Sequence, residues 1–340
     1  MRSPRRIAIG LERELAVHAT TTATELALRR AAKSGRRVLL GPFLGEVGYE
    51  LLYWIPFLRR TLARHEIARE RVTTLTRGGA GAWYRDFAAD DVELFDLVEP
   101  DGLVPLIEHR RRRARDAKQL RGDRLDRDLV RLARERVGDA AVLHPSLMFA
   151  RLRGLWFRGE PLAEALLQLE FRRLQQPAPP SGLPESYVAV KLYESDAFPD
   201  EPAVREQVLG LLERLVRETS VVLLTTGLRL DEHAEWGAES PNVHTIEHLL
   251  RPQDNLTVQT AAVGNARALI STYGGFSYLG PLVGRPTLAL HARESFHPAH
   301  LALARSAFAG TPYDVAGLEE DAVLDDFLAA RLETVLDAER

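Results

Sequence analysis

Short, unbroken apolar runs alternate along the chain with longer stretches whose apolar residues recur every three or four positions. The runs Arg37–Leu40, Val72–Thr76, Val92–Val98 and Ala141–Leu143 read as strands in the first half. In the second half Tyr187–Tyr193, Val221–Leu224, Val243–Ile246, Ala268–Ile270 and Thr287–Leu290 read the same way. A run such as Val221–Leu224 has no polar alternation, as expected of a parallel strand buried on both faces. Helical spacing covers residues 11–33 (Leu11, Leu15, Leu26, Leu28), Leu51–Arg64 (Leu51, Leu52, Ile55, Leu58) and Pro202–Glu218 (Val204, Val208, Leu211, Leu212, Leu215). It also covers Asn255–Asn265, Pro298–Phe308 and Glu320–Asp337. Pro56 either kinks its helix or marks its true first turn. Strands alternating with helices predict an α/β fold with parallel sheets.

At 340 residues the chain exceeds one ordinary core, so two domains are expected. Gln175–Ser186 holds Pro177, Pro179, Pro180, Pro184 and Gly182, which marks a linker over 177–186. That gives an N-terminal α/β domain over 1–176 and a C-terminal Rossmann-like domain over 187–320. A closing helix over 321–340 is expected to pack back on the first domain. The two sheets should face a central cleft.

Composition narrows the function. With 45% apolar residues, 27% charged residues and a net charge of −3, nothing calls for nucleic acid. The absence of cysteine excludes disulfides, thiolate zinc sites and a cysteine nucleophile. No apolar run reaches the roughly 18 residues of a membrane span, and Ile7–Ile9 is too short for a signal peptide's apolar region, so a cytoplasmic location is expected. Residues 108–136 carry twelve Lys/Arg against six Asp/Glu. They read as a solvated helical face laced with ion pairs, or as a surface that meets anionic lipid or an anionic acceptor at the inner face of a membrane.

Four stretches carry candidate chemistry. In Leu269–Leu290, a strand ends at Ser271-Thr272-Tyr273 and meets Gly274-Gly275, a turn that leaves amides uncovered. Ser277 is placed to cap the next helix, whose start suits an anion. In Gly41-Pro-Phe-Leu-Gly-Glu-Val-Gly-Tyr-Glu50, Gly45 and Gly48 flank Glu46. If a helix begins near Val47, Glu46 is either a general base taking a proton from a hydroxyl or a helix-dipole partner. Tyr49, Tyr53 and Trp54 suit stacking on a sugar or core packing, and Glu50 is a second carboxylate or a surface residue. Lys191 is one of only three lysines, with Lys33 and Lys118. It lies near the C-terminal end of the first strand of the second half, where it either faces the same cleft as Gly274 as a counter-charge for a diphosphate, or sits on an exposed edge. Thr225-Thr226-Gly227 follows a buried strand, where hydroxyls and a glycine amide serve as phosphate or ribose donors or as turn formers. The histidines form no metal set, and the sequence has no nucleophile elbow, P-loop or Gly-x-Gly-x-x-Gly.

On Gly41–Glu50 and Ser271–Thr287, the chain resembles the two-domain GT-B glycosyltransferases, particularly bacterial enzymes of the heptosyltransferase and fucosyltransferase neighbourhood. The first segment is similar to the glycine loop of their acceptor domain, the second to their donor-diphosphate segment. The resemblance implies that Glu46 is the base of an inverting transfer and that Gly45, Gly48 and Tyr49 meet the acceptor. It also implies that Lys191, Thr226, Gly227, Tyr273, Gly274, Gly275 and Ser277 hold a nucleotide-sugar donor, with no cofactor and no metal. The acceptor would be a saccharide, a lipid-linked sugar or another hydroxyl compound. The paired glutamates of many retaining members are not evident, and Lys191 stands where a fucosyltransferase-like His-x-Arg would lie. Two other readings keep the fold: a sugar-nucleotide epimerase using His248 or Glu194 as second acid or base, and a non-catalytic nucleotide-sugar-binding protein.

Overall fold

The computed structural model describes residues 22 and 24–332, except 115–118, 158–160, 227–235 and 237–240. Gly227, and part of the basic stretch, lie outside the described residues. Among the described residues, ten strands form two parallel sheets. The first sheet contains β1 (Arg37–Leu40), β2 (Val72–Thr76), β3 (Asp90–Glu93) and β4 (Ala140–Leu143), in the order β3-β2-β1-β4. The second contains β5 (Tyr187–Lys191), β6 (Ser220–Leu223), β7 (Val243–Thr245), β8 (Ala268–Thr272), β9 (Thr287–His291) and β10 (Tyr313–Gly317). Their order is β10-β9-β8-β5-β6-β7. This is the expected fold class, two parallel α/β units. In each sheet the chain reverses direction across the strand order, beside β1 in the first and β5 in the second, and ligands of such folds bind at the strand ends near that point.

Alternation along the strands assigns the layers. Val38 and Leu40 point into a central core while Leu39 points into an outer one with Leu75, Leu103, Leu129 and Ala133. Likewise Tyr187 and Ala189 join the central core, whereas Val188 and Val190 join an outer core beneath helix Pro202–Glu218. The central core contains Leu40, Trp54 and Leu58 from the first half and Leu269, Leu279 and Ala289 from the second. The halves therefore share apolar packing. Polar contacts reinforce it: Trp83 Nε1 donates to Thr260 Oγ1 at 2.9 Å, and Thr257 Oγ1 to the Gly79 carbonyl at 2.8 Å. The proline-rich segment is tied to the second half, through Leu174 N to Leu282 O at 2.8 Å and Gln176 Nε2 to Asn265 Oδ1 at 3.0 Å.

Three expected elements differ. The strand expected over Val92–Val98 stops at Glu93, because the Glu93 carboxylate accepts from Phe95 N and caps the turn Leu94–Asp96. The helix expected from Leu51 opens instead with a wide π turn, Glu50–Trp54, and Pro56 falls in the first turn of the regular helix Ile55–Arg64. The closing helix is described as far as Leu332, and its described apolar residues pack on the second half. Phe327 and Leu328 pack in the outer core of the second sheet with Leu288 and Ala316, and Asp325 pairs with Arg214. Helices of the second half that reach the first are Asn255–Asn265, through the Thr257 and Thr260 bonds, and Pro298–Ala307, through His300. In the basic stretch Arg110 is buried on Asp126, while Arg134 and Arg136 donate to the carbonyls of Ala140 and Asp96. No helix of the described residues is long and apolar enough to cross a membrane.

Candidate active site

A cavity of about 900 Å³ lies between the halves at the C-terminal strand ends. Glu46, Gly48, Tyr49 and Tyr53 line it from the first half, and Tyr273, Gly274, Gly275 and Tyr278 from the second. The segments 194–199 and 293–300 complete the wall. The loop after β1 leads to Glu46, which has extended backbone angles and precedes the single helical turn Val47–Tyr49. Its carbonyl accepts from Tyr49 N and Glu50 N, but its carboxylate makes no capping hydrogen bond. The acidic group is thus presented to the cavity instead of being consumed by the helix start.

On the same cavity, the turn after β8 has two successive left-handed glycines, Gly274 at φ 93° and Gly275 at φ 39°. A side chain at either position would be strained, so the turn depends on both glycines. The two glycine segments touch. A β-carbon on Gly48 would come within 2.7 Å of the Gly275 nitrogen, so only glycine permits this approach of the halves. The contact closes one side of the cavity.

Several site residues of the second half are placed differently from expectation. Lys191 does not line the cavity. It is buried on the face of β5 covered by Phe276, with Nζ donating to the Leu224 carbonyl at 2.6 Å and lying 5.6 Å from the Phe276 ring centre. Its charge therefore lies behind the glycine turn. Ser277 caps nothing: it is fully buried, its hydroxyl lies 3.1 Å from the Tyr313 hydroxyl, and its N–H closes the turn on the Gly274 carbonyl at 2.8 Å. Thr226 is buried after β6 and is not part of the cavity wall. Gly45 sits behind the wall, with its carbonyl held by Arg77 Nη2 at 2.6 Å. Glu50 is not a surface residue. It is fully buried and accepts from the Tyr84 hydroxyl at 2.5 Å, and loss of solvation raises its pKa to about 7 despite nearby Arg77.

The cavity also contains His300, Arg293 and Asp196, to which the sequence assigns no role. His300, from helix Pro298–Ala307, places its ring between two tyrosines of the first half. Tyr49 Oη lies 3.2 Å from Nε2 and Tyr53 Oη 2.5 Å from Nδ1. Burial raises the pKa of both tyrosines, and Glu46 adds to the effect at Tyr49, so both hydroxyls stay protonated. Arg293 is the arginine on the wall, paired with Glu201 at 2.5 Å, and Glu194 and Asp196 add carboxylates. His248 is exposed and is not on the wall, whereas Glu194 is. A topological signal for 293–300 was available: the segment follows β9 and so emerges at the same sheet edge as the glycine turn. Among the described residues no group of three His, Asp or Glu side chains is arranged to hold a metal ion.

No family model matches the chain, and no curated protein does. Solved structures that overlap it include the E. coli heptosyltransferase WaaC with ADP, at 14% identity and TM-score 0.45, covering 87% of this chain and 100% of that one. The E. coli ADP-heptose LPS heptosyltransferase II overlaps at 13% identity and TM-score 0.45, covering 90% and 100%. The iron-containing dodecameric glycosyltransferase TibC of enterotoxigenic E. coli overlaps at 15% identity and TM-score 0.39; 76% of this chain is covered, and the chain spans 58% of TibC's length.

Proposed function

We propose that the protein is a glycosyltransferase that moves a sugar from a nucleotide-diphosphate donor to a hydroxyl acceptor, by an inverting, metal-independent displacement. The observation that carries this reading is that Glu46 and the Gly274-Gly275 turn line one cavity, each at the C-terminal edge of its own parallel sheet. The acceptor hydroxyl gives its proton to Glu46 as its oxygen bonds to the anomeric carbon. The bond from that carbon to the diphosphate oxygen breaks with its electron pair going to the nucleoside diphosphate. The leaving group is stabilised by the amides of the glycine turn, by Arg293 and, from behind the turn, by the charge of Lys191. Tyr49 and Tyr53 offer ring faces and protonated hydroxyls to a saccharide or lipid-linked acceptor. Contact between Gly48 and Gly275 helps keep water from the donor. The enzyme acts in the cytoplasm, with its basic stretch toward the membrane if the acceptor is lipid-linked.

The test is a thermal-shift panel of ADP, UDP, GDP, CDP and TDP, followed by turnover of the matching nucleotide sugars. A diphosphate that binds the folded form raises the melting temperature. Glu46→Gln should keep that shift and lose turnover; full turnover in Glu46→Gln, or no shift with any diphosphate, ends the proposal. Glu194 on the same wall supports an epimerase as the second reading. Sugar-nucleotide product formed from donor alone would select it.

A further inference from the structure

The loop that carries Glu46 into the cavity leaves the sheet after a single backbone bond, Gly41 N to Leu143 O at 2.9 Å. Beyond it, side chains from distant elements meet the backbone. Gln119 Oε1 accepts from Leu44 N at 2.6 Å, and its Nε2 donates to the Pro42 carbonyl at 3.1 Å and to Asp126 Oδ1 at 3.0 Å. Gln119 is fully buried and has a left-handed backbone, φ 50°. A residue with a side chain holds that conformation when its surroundings impose it.

Its anchor is itself anchored. Asp126 accepts from Arg110 Nη1 at 2.9 Å and from Asp123 N at 2.9 Å, and His144 Nε2 lies 3.2 Å from its other oxygen. His144 follows β4, so the network ties the loop to the neighbouring strand as well as to the helix Arg124–Val137.

We infer that Gln119 is a positioning residue for Glu46: by fixing the backbone at 42 and 44, it sets where the carboxylate two residues further on enters the cavity. The inference rests on Glu46 being the base of the proposed transfer. An apolar side chain at 119 would leave Leu44 N, Pro42 O and an Asp126 oxygen buried without this partner, and the loop would move to find others. A displacement on the order of 1 Å at a reacting group costs about 100-fold in rate.

The experiment compares wild type, Gln119→Leu and Asp126→Asn by three measurements: amide exchange over 41–50 and 269–283, the nucleoside-diphosphate thermal shift, and kcat and KM for donor turnover. Gln119→Leu should exchange faster over 41–50 and unchanged over 269–283. It should keep the thermal shift and lose about tenfold to 100-fold in kcat, with KM within about twofold. Asp126→Asn should move the same way by less, and it decides the matter if Gln119→Leu does not fold. Unchanged exchange over 41–50, or a kcat that falls only with the folded fraction, overturns the inference while leaving the transferase intact. A wild type without turnover removes both.

Discussion

The two edges of the cavity are built on opposite plans. The glycine turn after β8 is held by its own backbone and its own sheet: Ser277 N bonds Gly274 O, Tyr273 N bonds Leu290 O of β9 at 2.7 Å, and the left-handed geometry is supplied by two adjacent glycines. The loop after β1 is held by others. Arg77, from the end of β2, takes the Gly45 carbonyl, and Gln119 takes the backbone on either side of Phe43. A self-contained turn survives change elsewhere and fails when its own residues change. A tethered loop tolerates change within itself better than loss of its distant tethers. The proposed chemistry places the diphosphate on the first kind of edge and the base on the second.

The largest effect should come from removing the carboxylate proposed as the base. Glu46→Gln keeps the size of the side chain and the backbone bonds of the loop, so neither edge is disturbed. Loss of general-base catalysis should lower kcat by about 10² to 10⁴, measured by release of nucleoside diphosphate, with the melting temperature unchanged. A loss under about threefold would take Glu46 out of the chemistry.

Next comes the dependence of stability on pH. Among the described residues, the carboxyls whose pKa is raised all lie in the first half: Glu50 and Glu93, both to about 7, and Asp91. Loss of solvation is the main cause in each. For Glu50 the ordinary value is 4.5. Between that value and about 7 the folded protein keeps a proton that the unfolded chain has released. Stability from this group is therefore fully present below pH 4.5 and lost as pH rises through 7, by an amount on the order of 3 kcal/mol. Denaturant melts at pH 5 and pH 8 should show the wild type weaker at pH 8. Glu50→Gln should reduce that difference, leaving the part due to Glu93. An equal difference in both proteins would mean that Glu50 does not titrate in this range.

The same contrast explains what was legible in the sequence. The turn at 273–278 could be read because its determinants are adjacent: a strand, two glycines and a helix start. The parallel sheets could be read because runs such as Val221–Leu224 are apolar without alternation. Gln119 could not be found, because its partners Pro42 and Leu44 lie more than seventy positions away and nothing local marks it. Lys191 sits at the expected strand end, on the face opposite Val190, but the Phe276 ring that covers that face arrives from another crossover. Ser277 is a cap by local pattern, but it falls inside the turn Gly275–Tyr278 and its hydroxyl meets Tyr313 of β10, two strands away. His300 was visible only as one histidine among several until Tyr49 and Tyr53 were brought to it.

The smallest of these effects tests the self-contained edge. At Gly275 an added β-carbon meets two separate obstacles. The backbone at φ 39° is strained for any residue with a side chain, and the carbon would collide with the Tyr193 hydroxyl. The first obstacle should cost about 1–2 kcal/mol. The second is relieved if the hydroxyl is removed, so Gly275→Ala should regain part of its loss when combined with Tyr193→Phe. The double-mutant cycle separates the two, because the backbone strain remains when the collision is gone. Both variants should weaken the nucleoside-diphosphate thermal shift, since the turn's amides are displaced, and leave amide exchange over 41–50 as in wild type. If Gly275→Ala instead loosens 41–50 as much as Gln119→Leu does, the two edges are mechanically coupled through the Gly48 contact, and the division between a self-held turn and a tethered loop is wrong.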